Sequence, residues 1–430
     1  MRIDRDGSLR VCTPGGEIVR SPDGQWRKCP QTAGASVSKP RPEEICSTTW
    51  NGVPWAATPE GLRFKRGSVW SAVQLPKSSG SHVSALLPRG DTLWAAFYGD
   101  GLWSFDGKSW TKLDIGLPPA AREITATAST GKLVWVGTRR EGVWEYDGSG
   151  WLQRLQPDEP YDHNCQALAM YGGTLYMSTL QDGIASLTPD GWRHTAAPEI
   201  SSNSPRQMVE FEDLLYLRHS NGVIDAFDGS KWTRGVSSAL PRKQASCLAA
   251  DGSRLYVGQW GGWSEFDGER WAHHLNLSGL QGVPVTAICP DGGRPWIGTQ
   301  GKGLALVERA SGAIQWQDER SGLPDDWIRC IEVSRGQVFA GTFVGGLAMR
   351  DAAKWNVCPT PRTEEITGLA AEPDGSLIVA TRSGVWKRGA DGETHRVGPS
   401  GLEAQALCPV SGGLWVGART GLHFFPSTGR

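Results

Sequence analysis

The stretch VWVGTRREGVWEYDGSGW, residues 134 to 151, places three tryptophans in eighteen positions, with glycine in each interval between them. Similar stretches recur as TLWAAFYGDGLWSFDGKSW (92–110), RLYVGQWGGWSEFDGERW (254–271) and GLWVGARTGLHFF (413–425). A bulky anchor residue opens each copy, and successive anchors lie 37 to 43 residues apart. The anchors are Trp55, Trp94, Trp135, Tyr176, Tyr216, Tyr256, Trp296, Phe339, Ile378 and Trp415. A degenerate copy at residues 8–26 brings the count to eleven, so the chain is a repeat array.

Each repeat contains four short segments that are typical of β-strands. The first is apolar and ends in a glycine-containing turn. The second, which carries the anchor, is apolar over four positions, as in a strand buried on both faces. The third begins with glycine and ends in an Asp-Gly pair, a hairpin signal, and the fourth begins at the tryptophan that follows. Because four such strands do not bury both faces of their sheet, each repeat must stack on the next.

The sequence therefore predicts an all-β fold, a β-propeller of about ten to eleven four-stranded blades. The period is unbroken after Trp55, which favours one large ring over two smaller rings. We expect the array to span residues 1–430, with a spacer at 31–44 between the first and second repeats. The last copy stops before a fourth strand, so residues 1–11 are predicted to complete that blade. Trp135 and Trp151 are interpreted as packing residues between blades rather than as an aromatic cage.

Composition and charge narrow the classes of function. The 430 residues include 56 glycines, 27 prolines and 21 tryptophans, with a formal net charge of -1. This balance is typical of a turn-rich β protein, and it supplies no general attraction to nucleic acid or to an anionic membrane. The opening MRIDRDGSLRVC lacks the apolar run of a signal peptide, and no later segment is apolar enough to span a membrane. We therefore expect a cytoplasmic protein.

The cysteines follow the repeat. The chain has nine, an odd number that argues against a disulfide scaffold. Six of them lie in the apolar segment before an anchor, where a small buried residue fits: Cys46, Cys165, Cys247, Cys289, Cys330 and Cys408. We interpret these six as reduced thiols of the core.

The repeat LWVGT..GL..FDG..W......GLP resembles the two-component regulator propeller repeat, found in periplasmic sensor regions of bacterial hybrid histidine kinases and in related standalone proteins. The resemblance covers about 400 residues and is strongest at 94–151 and 296–355. It implies a propeller fold and a part in sensing or recognition, but it is poorly specific for function. The chain shows no membrane span, kinase domain or trailing immunoglobulin-like domain.

A candidate partner-binding face follows from propeller topology. The turn between the second and third strands lies at the same end of a blade as the connector to the next blade, so residues four places after each anchor should line one face. Aromatic and basic residues predominate there, as at protein-recognition sites. The predicted site residues are Tyr98, Arg139, Arg140, Trp260, Lys302, Phe343, Arg382 and Arg419.

Catalytic interpretations of the sequence are weaker, and we predict no catalytic residue, cofactor or metal site. His163 and Cys165 form a potential nucleophile pair, but Cys165 occupies a core position. His273 and His274 are adjacent on a strand, so they face opposite sides and do not chelate one metal. The segment GTQGKG (298–303) resembles a phosphate-binding loop, but no helix follows it, which indicates a blade turn.

The leading hypothesis is a non-catalytic propeller that binds a protein partner as an interaction or recognition subunit of a bacterial multiprotein system. The alternative is a sensor that binds a small molecule or glycan in the axial channel. A propeller lyase or hydrolase is a third hypothesis. Nucleic-acid binding is not expected, because the sequence has no basic excess that would release many counterions.

Overall fold

The structure is a computed structural model that describes residues 1–3, 8–13, 16–21, 25–29, 45–76, 82–113, 115–155, 162–189, 191–276, 279–292, 294–308, 311–352, 354–359 and 364–427. These residues form β-strands together with three short 3₁₀ helices, Pro119–Arg122, Val236–Ala239 and Glu319–Ser321. None of the helices in these ranges has the length and apolar character needed to cross a membrane. The predicted spacer at 31–44 lies outside the described residues.

Contacts between residues divide the chain into two compact units. The first comprises Met1–Tyr161 and Asp190–Arg193, and the second comprises Asp162–Pro189 and His194–Arg430. Both contain the repeated sheets that the sequence predicts. We call each sheet a blade, number the blades in chain order, and call the strands of a blade A to D in chain order.

The first unit contains blades 1 to 4, each with four antiparallel strands. Blade 1 is β1 (Arg2–Ile3), β2 (Leu9–Thr13), β3 (Gly16–Arg20) and β4 (Trp26–Cys29); blade 2 is β5 (Cys46–Trp50), β6 (Val53–Thr58), β7 (Gly61–Arg66) and β8 (Val69–Ala72); blade 3 is β9 (Val83–Arg89), β10 (Thr92–Phe97), β11 (Gly101–Phe105) and β12 (Trp110–Lys112); blade 4 is β13 (Ile124–Thr130), β14 (Leu133–Thr138), β15 (Val143–Tyr146) and β16 (Trp151–Leu155).

Blades 5 to 8 belong to the second unit, except that Asp190–Arg193 groups with the first. Blade 5 is β17 (Cys165–Tyr171), β18 (Thr174–Thr179), β19 (Ile184–Thr188) and β20 (Gly191–Thr195); blade 6 is β21 (Pro205–Phe211), β22 (Leu214–His219), β23 (Ile224–Phe227) and β24 (Trp232–Thr233); blade 7 is β25 (Cys247–Ala250), β26 (Leu255–Gln259), β27 (Gly262–Phe266) and β28 (Trp271–Leu275); blade 8 is β29 (Val285–Cys289), β30 (Trp296–Thr299), β31 (Leu304–Glu308) and β32 (Ala313–Gln317).

Blades 9 to 11 complete the second unit. Blade 9 is β33 (Ile328–Ser334), β34 (Gln337–Thr342), β35 (Leu347–Asp351) and β36 (Lys354–Val357); blade 10 is β37 (Ile366–Ala371), β38 (Leu377–Thr381), β39 (Val385–Arg388) and β40 (Thr394–Val397); blade 11 is β41 (Ala404–Val410), β42 (Gly413–Ala418) and β43 (Gly421–Pro426). The prediction of about ten to eleven blades is confirmed, with three strands in the last sheet as described.

Local sequence explains the strands of blade 4. The anchor strand β14 is buried along its central residues, as its continuous apolar pattern predicts. The Asp-Gly pair then turns the chain: the Asp147 carboxylate accepts hydrogen bonds from the backbone N–H of Ser149 at 2.8 Å and of Gly150 at 3.2 Å. Gly148 has a φ of 102°, a conformation that side chains rarely adopt. The same aspartate turn recurs at Asp106, Asp228 and Asp267.

The anchor tryptophan of blade 4 lies in the core between two blades. Trp135 is 1% exposed and packs against Leu9 and Val11 of blade 1. Its Nε1 donates a hydrogen bond to the buried Glu145 carboxylate at 2.7 Å. Trp151 packs on the opposite side, against the core shared with blade 3. The interpretation of Trp135 and Trp151 as packing residues between blades is therefore confirmed.

The seven blades of the second unit form a closed ring. Each A strand contacts the A strand of the next blade, from β17 through β21, β25, β29, β33 and β37 to β41, and β41 contacts β17. At this closure the side-chain amide of Gln166 donates to the Gln405 side-chain oxygen at 2.6 Å. The preference for one large ring is therefore wrong for these blades, because blade 5 packs on blade 11 directly.

The closure also differs from the predicted exchange of a terminal strand. Strand β1 pairs with β2 inside its own sheet, with Arg2 opposite Arg10, and it lies in the first unit. The described residues of blade 11 contain no fourth strand. The prediction that residues 1–11 complete the last blade is wrong, because A-strand packing closes the ring instead.

The structure confirms the predicted core position of the six cysteines that precede an anchor. Cys165, Cys247, Cys289 and Cys408 are buried, Cys46 and Cys330 are half-buried, and all six are free thiols. Burial raises the pKa of Cys46 to about 11 and that of Cys247 to about 12. Thiols of this kind are weak nucleophiles, because the thiolate is the reactive form.

Candidate partner-binding face

The turns between strands B and C share one architecture in four blades of the ring, blades 5, 8, 9 and 10. A threonine ends strand B, and its hydroxyl donates to the carbonyl of a glycine that begins or precedes strand C. These bonds are Thr179 to Gly183 at 3.0 Å, Thr299 to Gly303 at 2.8 Å, Thr342 to Gly346 at 2.8 Å and Thr381 to Gly384 at 2.9 Å. The hydrogen bond holds each turn at the end of its blade. We call the surface formed by the B–C turns of the whole ring and the inter-blade connectors the B–C face.

In blade 6 a buried hydrogen bond between His219 and Asp225 takes the place of the threonine. His219 Nε2 lies 2.7 Å from Asp225 Oδ2, and both side chains are fully buried. Burial raises the pKa of Asp225. Hydrogen bonds from His219, Ser201 and Gly235 together lower it by more, so the pKa is below its ordinary value. A histidine and an aspartate in this arrangement resemble a general-base pair, but neither side chain is exposed to solvent. Their geometry supports a role in holding the turn of blade 6 in place.

Two hydrophobic side chains stand out on the B–C face. Trp260, in the turn of blade 7, is 53% exposed, and Val344, in the turn of blade 9, is 60% exposed. Both turns are held rigidly at the backbone: the Trp260 carbonyl accepts a hydrogen bond from the Arg242 guanidinium, and the Val344 N–H donates to Asp325 Oδ2 at 2.9 Å. Exposed hydrophobic residues on a fixed backbone are suited to partner recognition, because little conformational entropy is lost on binding.

A stacked aromatic pair lies beside Val344. Phe343 packs on Trp327, with ring centroids 4.2 Å apart and an interplanar angle of 22°. Both rings are half-buried. Sequence reasoning identified Phe343 but missed Trp327 and Val344, because Trp327 lies in a connector and Val344 is one position beyond the site assigned to each repeat. The aromatic pair and Val344 form a hydrophobic area on the face of blade 9.

The basic residues of the B–C face are largely paired. Arg382 Nε lies 2.8 Å from Glu365, which also binds Arg329 at 3.1 Å, and Arg419 lies 3.5 Å from Glu403. The Lys302 ammonium donates to the Gly279 carbonyl at 3.0 Å and lies over the Trp316 ring. The face therefore has less free positive charge than the sequence indicated.

Seven polar side chains surround the inner edge of the same ring, one from each blade. They occupy the β-bulge of each A strand, or the equivalent position in blade 7: Gln166, Arg206, Ser246, Thr286, Arg329, Thr367 and Gln405. Thr286 and Thr367 each donate to a carbonyl of the next blade at 2.6 Å. Arg206 donates to Gln166 at 2.6 Å. These bonds tie neighbouring blades together around the axis.

Comparison with solved structures identifies the architecture. The chain is similar to the extracellular domain of the putative hybrid two-component system BT3049 from B. thetaiotaomicron, with 18% identity and a TM-score of 0.53, over 99% of this chain and 61% of that one. It is also similar to the GH74 enzyme of Niastella koreensis, with 12% identity and a TM-score of 0.56, over 96% of this chain and 71% of that one. The chain is a β-propeller. At these identities the likeness shows the fold, and the propeller spans about three fifths of the BT3049 domain.

The first of these neighbours agrees with the resemblance to the two-component regulator propeller repeat, since its name describes a two-component system. No family model matches the chain. No curated protein matches it either. The comparison contradicts the predicted cytoplasmic location, because this structural neighbour is an extracellular domain. That prediction was based on the lack of a signal-peptide pattern in the sequence. The extracellular neighbour contradicts it.

The propeller divides the predicted site residues between its two units. Tyr98, Arg139 and Arg140 belong to the first unit, and the other five belong to the second. Arg139 donates to the Tyr98 hydroxyl at 3.1 Å. Arg140 is only 8% exposed and pairs with Glu123 at 2.8 Å. Because Arg140 is buried, it is not available to a partner as an exposed side chain.

The structure also describes the residues of the potential chemical sites that the sequence suggested. The Cys165 thiol donates to the Ala167 carbonyl at 3.6 Å and is fully buried, so it does not form a thiolate pair with the exposed His163. His273 contacts Ser264 while His274 stacks on Trp263, so the two histidines face opposite sides as predicted. In the described part of the propeller no group of three histidine, cysteine, aspartate or glutamate side chains is placed to hold a metal ion.

One carboxyl of the ring has a strongly perturbed pKa. Burial of Glu332, on the A strand of blade 9, raises its pKa from 4.5 to about 7. The folded state therefore keeps a proton that the unfolded state releases between pH 4.5 and 7. The proton held by Glu332 stabilises the folded state relative to the unfolded state. This stabilisation is complete below pH 4.5 and is lost as the pH rises through 7.

We expect Glu332→Gln to remove this pH dependence. The variant should gain stability relative to the wild type as the pH rises, reaching on the order of 2 kcal/mol at pH 8, because it carries no buried charge. Urea unfolding at pH 4.5 and pH 8 measures the difference. The exposed Glu308→Gln is the control and should show no such trend. An equal effect of Glu332→Gln at both pH values would contradict the prediction.

Proposed function

We propose that this propeller is a non-catalytic recognition subunit that binds a protein partner through the B–C face of its seven-blade ring. The observation that carries the proposal is the exposure of Trp260 and Val344, 53% and 60%, on turns held rigidly by hydrogen bonds. The stacked pair of Phe343 and Trp327 adds hydrophobic area next to Val344. Aromatic anchors of this kind contribute a large share of the binding energy at protein interfaces.

The charges of the face favour a protein over a nucleic acid as the partner. Arg382 and Arg419 each have a glutamate within salt-bridge distance, so they present mixed charge rather than a positive stripe. Binding to phosphates gains affinity from unpaired cations that release counterions. A rim of ion pairs around hydrophobic anchors instead resembles the polar rim of a protein interface.

An axial ligand remains an alternative prediction, with less support. The polar ring around the axis would be its binding site, but Gln166, Arg206 and Gln405 bind one another. Thr286 and Thr367 are hydrogen-bonded to neighbouring blades. A small molecule or glycan would have to replace these bonds, which is costly for polar groups that are partly buried.

The absence of catalysis is part of the proposal. It is supported by the burial of the two arrangements that most resemble catalytic groups, the Cys165 thiol and the pair of His219 and Asp225. Catalysis would need substrate access at both, and none of the three side chains is exposed. The GH74 enzyme shares the propeller fold, and fold alone does not carry a reaction to this chain.

We also propose that the propeller acts outside the cytoplasm, in the periplasm or at the cell surface. The extracellular neighbour motivates this location. The free cysteines are compatible with it, since the pKa of Cys289 and that of Cys330 are raised to about 12 by burial and such thiols resist oxidation. Separation of periplasm, membranes and cytoplasm, followed by immunodetection of the chain, tests the location; recovery in the cytoplasm alone would contradict it.

A paired substitution tests the partner-binding face. The tagged chain is used to capture a stoichiometric protein partner from its source bacterium, and the purified partner is then titrated against variants. We expect Trp260→Ala with Val344→Ser to weaken binding at least about tenfold, equivalent to roughly 1.4 kcal/mol, because both anchors are lost.

The control is Trp70→Ala, which removes a tryptophan that is 40% exposed on an outer strand of the first unit. This variant should bind the partner as the wild type does. Unchanged affinity of the double variant, with its thermal stability preserved, would overturn the proposed face. Failure of the wild-type chain to capture any stoichiometric partner would count against the function itself.

A further inference from the structure

The opposite end of the ring contains a cleft between blades 9 and 10. Its volume is about 390 Å³, near the lower end of the range of roughly 300–1,000 Å³ that is usual for small-molecule sites. The walls are the turns between strands A and B and between strands C and D, which lie away from the B–C face. The turn at 334–337 and residues 351–352 line the side of blade 9, and Gly375 with residues 388–392 lines the side of blade 10.

Three arginines line this cleft, Arg335, Arg350 and Arg388, against the single carboxylate of Asp351. Within the described ranges none of the three guanidinium groups forms a salt bridge. This differs from the B–C face of the same ring, where Arg382 and other arginines have glutamate partners. The cleft therefore concentrates positive charge that the protein itself does not neutralise.

Each arginine is held in place while keeping donors for a ligand. The Arg350 guanidinium lies over the Trp296 ring at 5.1 Å, and its buried Nε has no hydrogen-bond partner among the described residues. One amine of Arg388 donates to the Gly392 carbonyl at 2.6 Å and the other contacts the Met349 sulfur at 4.0 Å, while Arg335 donates to the Asp374 carbonyl. A guanidinium has five N–H donors, and these contacts use at most two of the donors of each arginine.

Two acidic groups of blade 10 near the cleft, Glu372 and Asp374, already have partners. Lys387 binds Glu372 at 2.6 Å and Asp374 at 3.3 Å, and the Ser376 hydroxyl donates to Glu372 at 2.7 Å. The hydroxyl and the backbone N–H of Ser376 also donate to the Asp374 carboxylate, and these two bonds, together with Lys387, lower the pKa of Asp374 to about 2. The carboxylates of Glu372 and Asp374 are therefore directed to Lys387 and Ser376 rather than to the three arginines.

We propose that the cleft between blades 9 and 10 binds an oxyanion, the phosphoryl or carboxylate group of a small molecule, through Arg335, Arg350 and Arg388. Planar guanidinium groups bind both kinds of oxyanion with paired hydrogen bonds. The site is distinct from the partner-binding face and does not depend on it. A nucleic acid is a poorer fit, because the positive charge is confined to one cleft and the chain has a formal net charge of -1.

Calorimetric titration of the full chain tests the proposal, with inorganic phosphate and citrate as separate probes at low ionic strength. We expect saturable binding of at least one probe, weakened at least tenfold in Arg350→Gln with Arg388→Gln. The stronger probe then distinguishes a phosphoryl ligand from a carboxylate ligand. Arg294→Gln is the matched control, since Arg294 is an exposed arginine at the A–B turn of blade 8, outside the cleft. Its affinity should equal that of the wild type.

A second variant is needed to distinguish a loss of binding from a folding defect, because Arg350 also packs on Trp296. Arg388→Lys keeps the charge but removes the planar pair of donors, and we expect an affinity between those of the wild type and the double variant. Thermal melting of each variant without ligand verifies its fold. The proposal is overturned if the wild type binds neither probe saturably, or if folded Arg388→Gln binds both probes as tightly as the wild type.

Discussion

Replacing Trp296 with alanine should destabilise the seven-blade ring by about 3–5 kcal/mol. Trp296 is 1% exposed and lies in the core shared by blades 8 and 9, where it packs edge-on against Trp355 with centroids 6.1 Å apart. Its Nε1 has no hydrogen-bond partner among the described residues, so the loss is one of packing and burial. Denaturant unfolding followed by tryptophan fluorescence and circular dichroism measures the change.

Trp260→Ala provides the matched control for this substitution. It removes the same side chain from the same ring, but Trp260 is 53% exposed on the B–C face. We expect a change in stability within about 0.5 kcal/mol, as for a surface substitution. Equal destabilisation by the two variants would contradict the packing of blades around the Trp296 position, while a large effect of Trp260→Ala alone would show that the exposed tryptophan has a structural role.

Replacing Gly417 with alanine should destabilise the ring by about 1–3 kcal/mol, because this glycine lies where blade 11 meets blade 5. A methyl group at Gly417 would overlap the Cys165 Sγ atom and lie 3.0 Å from its Cβ. Gly341 has an equivalent environment, where a methyl group would lie 2.6 Å from a side-chain carbon of Ile366 in the next blade. The glycine of the repeated WVGT segment thus permits close approach of neighbouring blades.

The control is Gly412→Ala in the same blade. Gly412 has an ordinary backbone conformation and no atom within 4 Å of an added methyl group, so the variant should be neutral or more stable by up to about 1 kcal/mol. Adding Cys165→Ala to Gly417→Ala should recover part of the lost stability, since it removes the sulfur that clashes. Such coupling is expected only between residues in contact. Strictly additive effects would contradict closure of the ring between blades 5 and 11.

The predicted site was only partly recoverable from the sequence. The repeat register places Trp260 and Phe343 correctly on turns, because a position within a blade follows from local strand and turn pattern. It does not show that Arg140 is buried against Glu123 or that Arg382 pairs with Glu365. Those facts depend on side chains that approach each other only after the blades have packed.

The cleft between blades 9 and 10 had no signal in the sequence. Arg335, Arg350 and Arg388 lie in turns and strand ends of two different repeats, and many exposed turns of this chain carry basic residues. What distinguishes them is the lack of a nearby salt-bridge partner in the described structure. That property belongs to the arrangement of two blades and not to any short segment.

The sequence alone determined the content of each blade: the forty-residue period, the buried anchor strand, the Asp-Gly hairpins and the core place of residues such as Cys165. These features are local, because strand alternation and turn glycines act over a few residues. Only the tertiary structure decided which blades form a ring. Every blade offers the next a similar apolar surface, so the repeats do not specify how many of them close together. Closure depends instead on the contact of β17 with β41, between residues separated by more than two hundred positions.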